Sequence, residues 1–378
     1  RGMLRYLSKN YPRGKRVLVR IDANVPIRGG RVEDDFRIRA ALPTIRRLLG
    51  HANRVVLLSH HSDRHQTLAP AAAVFGRLLG ERVAFIKDLR RVDNTRRERV
   101  LLVENLRFWQ GEETASPRFA KTLCQWGDVF VNDAFGVSHR RSASLTVLPR
   151  LLPSYLGLSF AAELAMLARA MDGAKHPFLI IIGGAKIATK LGLLRRLDRI
   201  ADGIIVGGSV ANTLLRANGI AVGRSPSAPA TAAIRRLARS RKLFLPVDAV
   251  VKGRRVRTVP MHKVGAHERI FDIGPKTVAL VRRSIHSSRT IVWNGPLGLT
   301  EDKRFALGTL AVARMLARSR GFVLVGGGDT VAFLDRVGLR KRFRHISTGG
   351  GAMLSYLAGE KLPGLLALRA SKGGRSVF

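Results

Sequence analysis

Short apolar runs, many of them β-branched, recur along the chain, and each stops abruptly at polar residues or glycine before a helix-like stretch begins. They read "RVLVRIDANVP", "RVVLLSHH", "RVLLVENLRF", "DVFVNDAFG", "FLIIIGGAK", "GIIVGGSVAN", "KLFLPVDAVV", "RTIVWNGPLG", "FVLVGGGDT" and "RHISTGGGA". Continuous apolar runs, rather than alternating ones, suit strands buried on both faces. The intervals leave room for the crossover helices that parallel pairing requires. The pattern therefore predicts a doubly wound α/β protein. In the middle, "SYLGLSFAAELAMLARAMDGAKHP" places Ala, Leu and Met at i, i+3 and i+4, which predicts a helix. Gly173 and Pro177 punctuate its end. It reads as a joining helix, residues 155–173, between domains at 1–154 and 174–359, with a tail at 360–378. No repeat of fixed period is present.

Polar residues gather where the runs end, and open parallel sheets bind ligands at the carboxyl ends of their strands. In the first half these endings carry side-chain chemistry: Asp22, Asn24, His60, Asn105, Arg107, Asn132 and Asp133. The two-residue strand period predicts Arg20, Asp22 and Asn24 on one face. Arg37, Arg39, Arg107, Arg140 and Arg141, gathered at one sheet edge, would hold a small polyanion carrying phosphate and carboxylate.

In the second half the endings are glycine clusters: Gly183–Gly184, Gly207–Gly208, Gly326 to Gly328 and Gly349 to Gly351. Glycine lets a ligand approach the backbone, and a following helix offers free N–H groups. Repeated at strand ends, the clusters point to a nucleotide rather than to tight turns alone. Asp329 would repel a phosphate unless a cation intervenes. It reads either as a Mg²⁺ ligand or as a helix cap, and the two roles are compatible. Lys186 and Lys190, four apart in "GGAKIATK", share one face of a predicted helix near its start, where an anion would offset their conflict with the dipole.

Composition narrows the classes. A chain of 378 residues exceeds one ordinary core, and 46% hydrophobic content belongs to a folded protein rather than to disorder. No apolar run approaches the roughly 20 residues that span a bilayer. The opening "RGMLRYLSKNYPRGKR" lacks a signal-peptide core, and Met3 rather than Arg1 reads as the start. The single cysteine, Cys124, excludes an internal disulfide and a Cys-based zinc site. A cytoplasmic protein is expected. His60, His61 and His65 with Asp63 match no familiar metal-ligand spacing. The 67 Lys and Arg against 26 Asp and Glu give a formal net charge of +41. That surplus is spread along the whole chain, as a basic proteome would spread it, rather than concentrated in one arm.

In their order, "VRIDANVP", "DDFRIRAALPTI", "ENLRF", "GDVFVNDAFG", "GGAKIATK", "LPVDAVV", "DIGPKT", "VWNGPLG", "GGGDT" and "HISTGGGA" resemble the phosphoglycerate kinase family from Arg16 to Gly364. The resemblance implies two Rossmann-like domains in a monomer that close by a hinge, with a tail from about residue 360 returning to the N-terminal domain. It implies reversible phosphoryl transfer between 1,3-bisphosphoglycerate with ADP and 3-phosphoglycerate with ATP, with Mg²⁺ as cofactor. Arg37, Lys186 and Gly351 would be catalytic. Asp22, Asn24, Arg37, His60, Asp63, Arg64, Arg107 and Arg140 would hold the glycerate substrate. Gly184, Ala185, Lys186, Lys190, Gly207, Gly208, Asn294, Glu301, Gly327, Gly328, Asp329 and Thr330 would hold the nucleotide, with Asp329 on the metal.

The sequence departs from the family at "SHHSDRHQT", where Ser-His-Leu-Gly-Arg-Pro is usual. Asp63 stands in place of the substrate arginine and Arg64 one position late, so weakened glycerate binding is expected unless Arg64 substitutes. Thr189 and Ser355 replace an aspartate and a glutamate, and the Phe usual before Glu301 is missing. The alternative reading is a catalytically weak paralogue whose charge serves nonspecific binding of nucleic acid or an anionic surface.

Overall fold

The computed structural model describes residues 4–7, 12–90, 97–185, 187 and 190–371. The chain divides into two compact units, one formed up to Ala165 and again from Lys361, the other from Met166 to Glu360. In the first unit the strands are β1 (Arg16–Arg20), β2 (Arg54–Leu58), β3 (Val83–Ile86), β4 (Val100–Val103), β5 (Val129–Asn132) and β6 (Ser154–Leu156). They pair in parallel in the order β3-β4-β2-β1-β5-β6. Helices α1 (Phe36–Leu49) and α2 (Ala69–Leu79) send Ile38, Ile45, Leu48 and Phe75 into a core with Val17, Val19, Val55 and Leu57. The apolar stripe of each helix is the complement of a strand face that could not otherwise be buried.

Two expectations need correction here, and one strand was missed. β1 ends at Arg20, so the strand period does not carry Asp22 and Asn24. The Asn24 amide turns onto the Asp22 carboxylate at 3.3 Å, an Asx-type turn that takes the chain off the sheet. The joining helix α3 spans Leu158–Met171, and Tyr155 and Leu156 belong to β6 instead. A Cβ at Gly157 would collide with the Asp133 carboxylate, and that carboxylate accepts the Ser159 and Phe160 amides at 2.9 and 3.0 Å. Asp133 thus caps α3 and fixes where it begins. β3 went unread because an edge strand of four residues, buried at alternate positions, carries little pattern.

The second unit has β7 (Phe178–Ile182), β8 (Gly203–Val206), β9 (Leu243–Phe244), β10 (Asp248–Lys252), β11 (Val256–Pro260), β12 (Arg269–Ile273), β13 (Thr290–Asn294), β14 (Phe322–Gly326) and β15 (His345–Ile346). A parallel sheet runs β9-β8-β7-β13-β14-β15, and a separate antiparallel sheet runs β11-β10-β12. The run "KLFLPVDAVV" is therefore two strands in two sheets. Pro246, which has no N–H to give a ladder, stands between them. Helices α4 (Leu191–Ile200), α5 (Gly208–Ala217), α6 (Gly328–Arg336) and α7 (Gly350–Leu357) each follow a glycine-bearing strand end. The core is built on Ile181, Ile205, Trp293, Val325 and Phe333.

The segment after Lys361 packs on the first unit, where the Gly364 amide donates to the Ser138 carbonyl at 2.9 Å. Among the described residues no helix is long and apolar enough to cross a membrane.

Candidate active site

In the second unit a cavity of about 320 Å³ opens beyond the carboxyl ends of β7, β8 and β13, with Gly184, Ala185, Gly208, Glu301 and Asp329 in its lining. Gly184, Gly208 and Gly327 have φ of +92°, +58° and +95°, the left-handed region that side chains avoid. A Cβ at Gly208 would sit 3.0 Å from the Gly184 backbone, and one at Gly327 3.1 Å from Asn294 Nδ2. A side chain at either place would crowd its neighbour, so the glycines keep this corner clear, although the Gly184 and Gly208 N–H groups themselves donate to the Pro296 and Leu297 carbonyls at 2.8 and 2.9 Å. Gly207 differs: it is extended, and a Cβ there would run into Leu297 at 2.6 Å, so its smallness serves packing.

Asn294 ends β13 with its side chain buried and its Nδ2 without a partner. A buried amide donor left unspent is costly, and a ligand oxygen is the partner such a position lacks. Lys190 is 8% exposed and donates to the Gly183 carbonyl. Burial pushes its ammonium down to about 8, and the nearby Asp329 carboxylate partly opposes that. The expected shared helix face with Lys186 is corrected: α4 begins at Leu191, so Lys190 precedes the helix, and Lys186 lies outside the described residues.

Asp329 sits in the first turn of α6 behind Gly327 and Gly328. Thr330 is fully buried and its hydroxyl accepts the Gly295 amide at 2.8 Å, which fastens the turn after β13 rather than facing the cavity. Gly351 lies exposed in the first turn of α7, outside the residues lining the cavity. Among the described residues no three His, Cys, Asp or Glu side chains gather as a metal cage. Asp329 behind two glycines would suit a Mg²⁺ ion that arrives on phosphate oxygens, because that ion commonly takes one or two carboxylates and keeps water for the rest.

The sequence reading missed Asp272, which lines the same cavity and accepts the Gly308 and Ile273 amides at 2.7 and 2.9 Å. Burial pushes its carboxyl up to about 7. Only the tertiary fold places it there, since β12 belongs to the antiparallel sheet.

The first unit holds a cavity of about 140 Å³, lined by Arg20, His60, Arg107, Glu112, Glu113, Arg140 and Arg141. Arg20 is 2% exposed, donating to Ser144 Oγ at 3.0 Å and to the Ile21 carbonyl at 2.5 Å, with His60 Nδ1 3.3 Å from its Nη2. Burial, then Arg20, Arg107, Arg140 and Arg37, hold the His60 imidazolium well below its ordinary range, so the ring is neutral. With Nδ1 accepting from Arg20, the proton rests on Nε2, which has no partner. That nitrogen is a donor waiting for an acceptor.

Arg37, on α1, is ion-paired with Asp22. Asn24 Oδ1 accepts the Ser62 amide at 2.8 Å and so holds the altered loop. Within that loop the Asp63 carboxylate accepts the His65 amide at 2.8 Å, while Arg64 reaches Glu113 at 2.8 Å. Glu113 also meets Arg107 at 3.3 Å. Arg64 therefore joins the arginine cluster through a shared carboxylate, and Asp63 is spent on its own turn. Glu112 was also missed by the sequence reading. It is buried and accepts Ser142 Oγ, Ser144 Oγ and the Ser144 amide at 2.8, 2.6 and 2.9 Å.

Each unit thus carries a cavity at the carboxyl end of its parallel sheet, one lined by glycines with Asp272, Glu301 and Asp329, the other by arginines and a neutral histidine. The class these features define is a two-unit α/β protein of parallel sheets with a polar cavity in each unit. The family profile described as Phosphoglycerate kinase matches residues 8–360. Relatives bearing that name include one from Pelotomaculum thermopropionicum, 41% identical over 379 residues, and one from Rubrobacter xylanophilus, 43% identical over 375, each alignment covering 94% of this chain and 96% of the relative. The solved phosphoglycerate kinase of Coxiella burnetii superposes with a TM-score of 0.86 at 34% identity, over 97% of this chain and 99% of that one. The chain belongs to the phosphoglycerate kinase family.

Proposed function

We propose that the chain is an active phosphoglycerate kinase that moves a phosphoryl group reversibly between 1,3-bisphosphoglycerate and Mg²⁺-bound ADP, yielding 3-phosphoglycerate and ATP. The observation that carries the reading is the corner formed by Asn294, Gly327 and Asp329, where an unspent buried donor, a cradle that a Cβ would fill and a single carboxylate meet. Mg²⁺, when bound, supplies neutralisation of charge on phosphate oxygens. Asp329 would hold it, Gly184, Ala185, Gly208 and Gly328 would lie along the nucleotide, and Glu301 would take its ribose hydroxyls. Lys190, kept short of a full charge complement by burial, would regain it against phosphates.

In the first unit, His60 Nε2–H and the guanidinium groups of Arg107 and Arg140 would hold the glycerate anion, with Asn24 supporting the loop. Arg37, oriented by Asp22, would steady the moving phosphoryl group. Lys186 and Gly351 complete the proposed catalytic set. Arg64 takes over from the missing substrate arginine, anchored by Glu113. The acyl O–P bond breaks as the bond from an ADP β-phosphate oxygen to phosphorus forms, and no proton changes hands. The protein therefore needs no nucleophile or base, only placement and charge neutralisation. We take the protein to work as a cytoplasmic monomer. Nucleic-acid contact through its net charge is a separate, salt-sensitive property.

Generating 1,3-bisphosphoglycerate in place and following ATP by luciferase tests the reading. ATP formation that depends on ADP and Mg²⁺ and collapses in Arg37→Ala is expected. An Arg37→Ala rate equal to that of the parent would refute it.

A further inference from the structure

A second polar cavity, of about 460 Å³, lies in the second unit at the foot of the parallel sheet. Thr290 and Phe322, which line it, are the first residues of β13 and β14, so it sits at the opposite strand ends from the glycine clusters. Arg169, Lys175, Arg289 and Arg320 form its walls together with His286, and among the described residues no carboxylate lines it.

A basic protein has basic surfaces and many unpaired arginines, so what marks this place is the gathering of four cations around one concavity; Arg257 with Glu268 at 2.7 Å, Arg304 with Asp302 at 2.5 Å and Arg340 with Asp335 at 2.9 Å show the pairing that an acid nearby would give. Among the described residues none of Arg169, Lys175, Arg289 and Arg320 is ion-paired. Four cations around one concavity repel one another, and an anion inside it would turn that repulsion into attraction.

The walls are also tied in place. A Cβ at Gly321 would meet the Ser288 carbonyl at 2.6 Å, so the floor is closed by backbone against backbone. Across it the Phe322 amide donates to Arg289 O at 2.8 Å, the Arg289 amide to Pro177 O at 2.9 Å, and the Lys175 amide to Thr290 Oγ1 at 2.9 Å. Arg169 lies over the Phe322 ring, 4.5 Å from its centroid, which fixes the plane of the guanidinium and leaves its edge N–H groups for a ligand.

We propose that this cavity binds a small polyanion bearing two or more phosphate groups, or phosphate with carboxylate, at a site apart from both carboxyl-end cavities. Its volume falls within the roughly 300–1,000 Å³ of small-ligand pockets, which favours a compact ligand over an extended nucleic-acid strand. A phosphorylated metabolite could thereby bind the protein without displacing anything at the strand carboxyl ends.

Hydrogen exchange with and without millimolar tripolyphosphate tests this, because it separates the three cavities by segment. Protection of 286–290 and 319–322 is expected, and affinity read at those segments should fall roughly tenfold or more in an Arg289→Ala, Arg320→Ala double variant. Both side chains are exposed and outside the proposed catalytic set, so the variant keeps its fold. Protection confined to the glycine-lined and arginine-lined cavities would overturn the proposal, as would undiminished protection in the variant. Protection by a short single-stranded RNA but not by tripolyphosphate would overturn it in favour of a nucleic-acid surface.

Discussion

Replacing Lys190 by methionine should make the protein more stable and a poorer binder of nucleotide. Burial lowers the folded-state pKa of Lys190 from 10.5 to about 8, a gap equivalent to about 3 kcal/mol of penalty on the charged form. Relative to a lysine that titrates normally, stability is complete above about 10.5 and is lost as pH falls through about 8. At pH 7 the wild type therefore carries nearly the whole penalty. Methionine removes it but forfeits the charge-assisted bond to the Gly183 carbonyl, which is worth about 2 kcal/mol. The net gain is about 1 kcal/mol, or about 2 to 4 °C in Tm for a unit of this size. Calorimetry at pH 7 and pH 10 with ADP titrations supplies the measurement. Tm should rise at pH 7, the gain should shrink by pH 10, and ADP affinity should fall roughly tenfold or more. A Tm that drops by the same amount at both pH values would refute the reasoning, because Lys190 would then stabilise the fold outright.

Gly327→Ala forces a side chain into φ +95° beside Asn294, which should cost about 1–3 kcal/mol in urea unfolding and weaken ADP binding. Glu112→Gln takes from the buried Arg20 guanidinium the stronger of its two countercharges and leaves Asp22, and the first unit should lose about 3 kcal/mol, read from the fluorescence of Trp109 and Trp126 in urea. Arg64→Ala should raise the KM for 3-phosphoglycerate several-fold while Asp63→Ala leaves it unchanged, since only Arg64 reaches Glu113. Equal effects from the two substitutions would mean that Arg64 does not substitute for the missing arginine.

The parallel sheets were legible because runs such as "VFVN" and "FLIII" are apolar on both faces, a pattern that only doubly covered strands need. The strand-end rule then pointed at the loops where the two carboxyl-end cavities open, without any knowledge of distances. It could not foresee that Arg20 turns inward: a buried guanidinium depends on Ser144, more than a hundred residues away, and that pairing leaves no local mark. Lys190 was misplaced for a related reason. Its spacing from Lys186 fits a helix, yet helix α4 starts one residue later and the ammonium folds back onto the Gly183 carbonyl. Asp63 shows the opposite limit. Alignment with a motif made it a substrate residue, whereas its carboxylate is engaged with the His65 amide of its own loop. Strand pairing partners are equally silent in sequence, so the antiparallel β10 read like its parallel neighbours until the fold separated them.

The central claim is most directly tested in the reverse direction, by incubating the protein with 3-phosphoglycerate, ATP and Mg²⁺ and trapping the acyl phosphate with hydroxylamine, beside an Asp329→Ala control. Hydroxamate that forms with the parent and vanishes in the control is the predicted result. No hydroxamate at saturating substrate, with nucleotide still bound, would contradict the account.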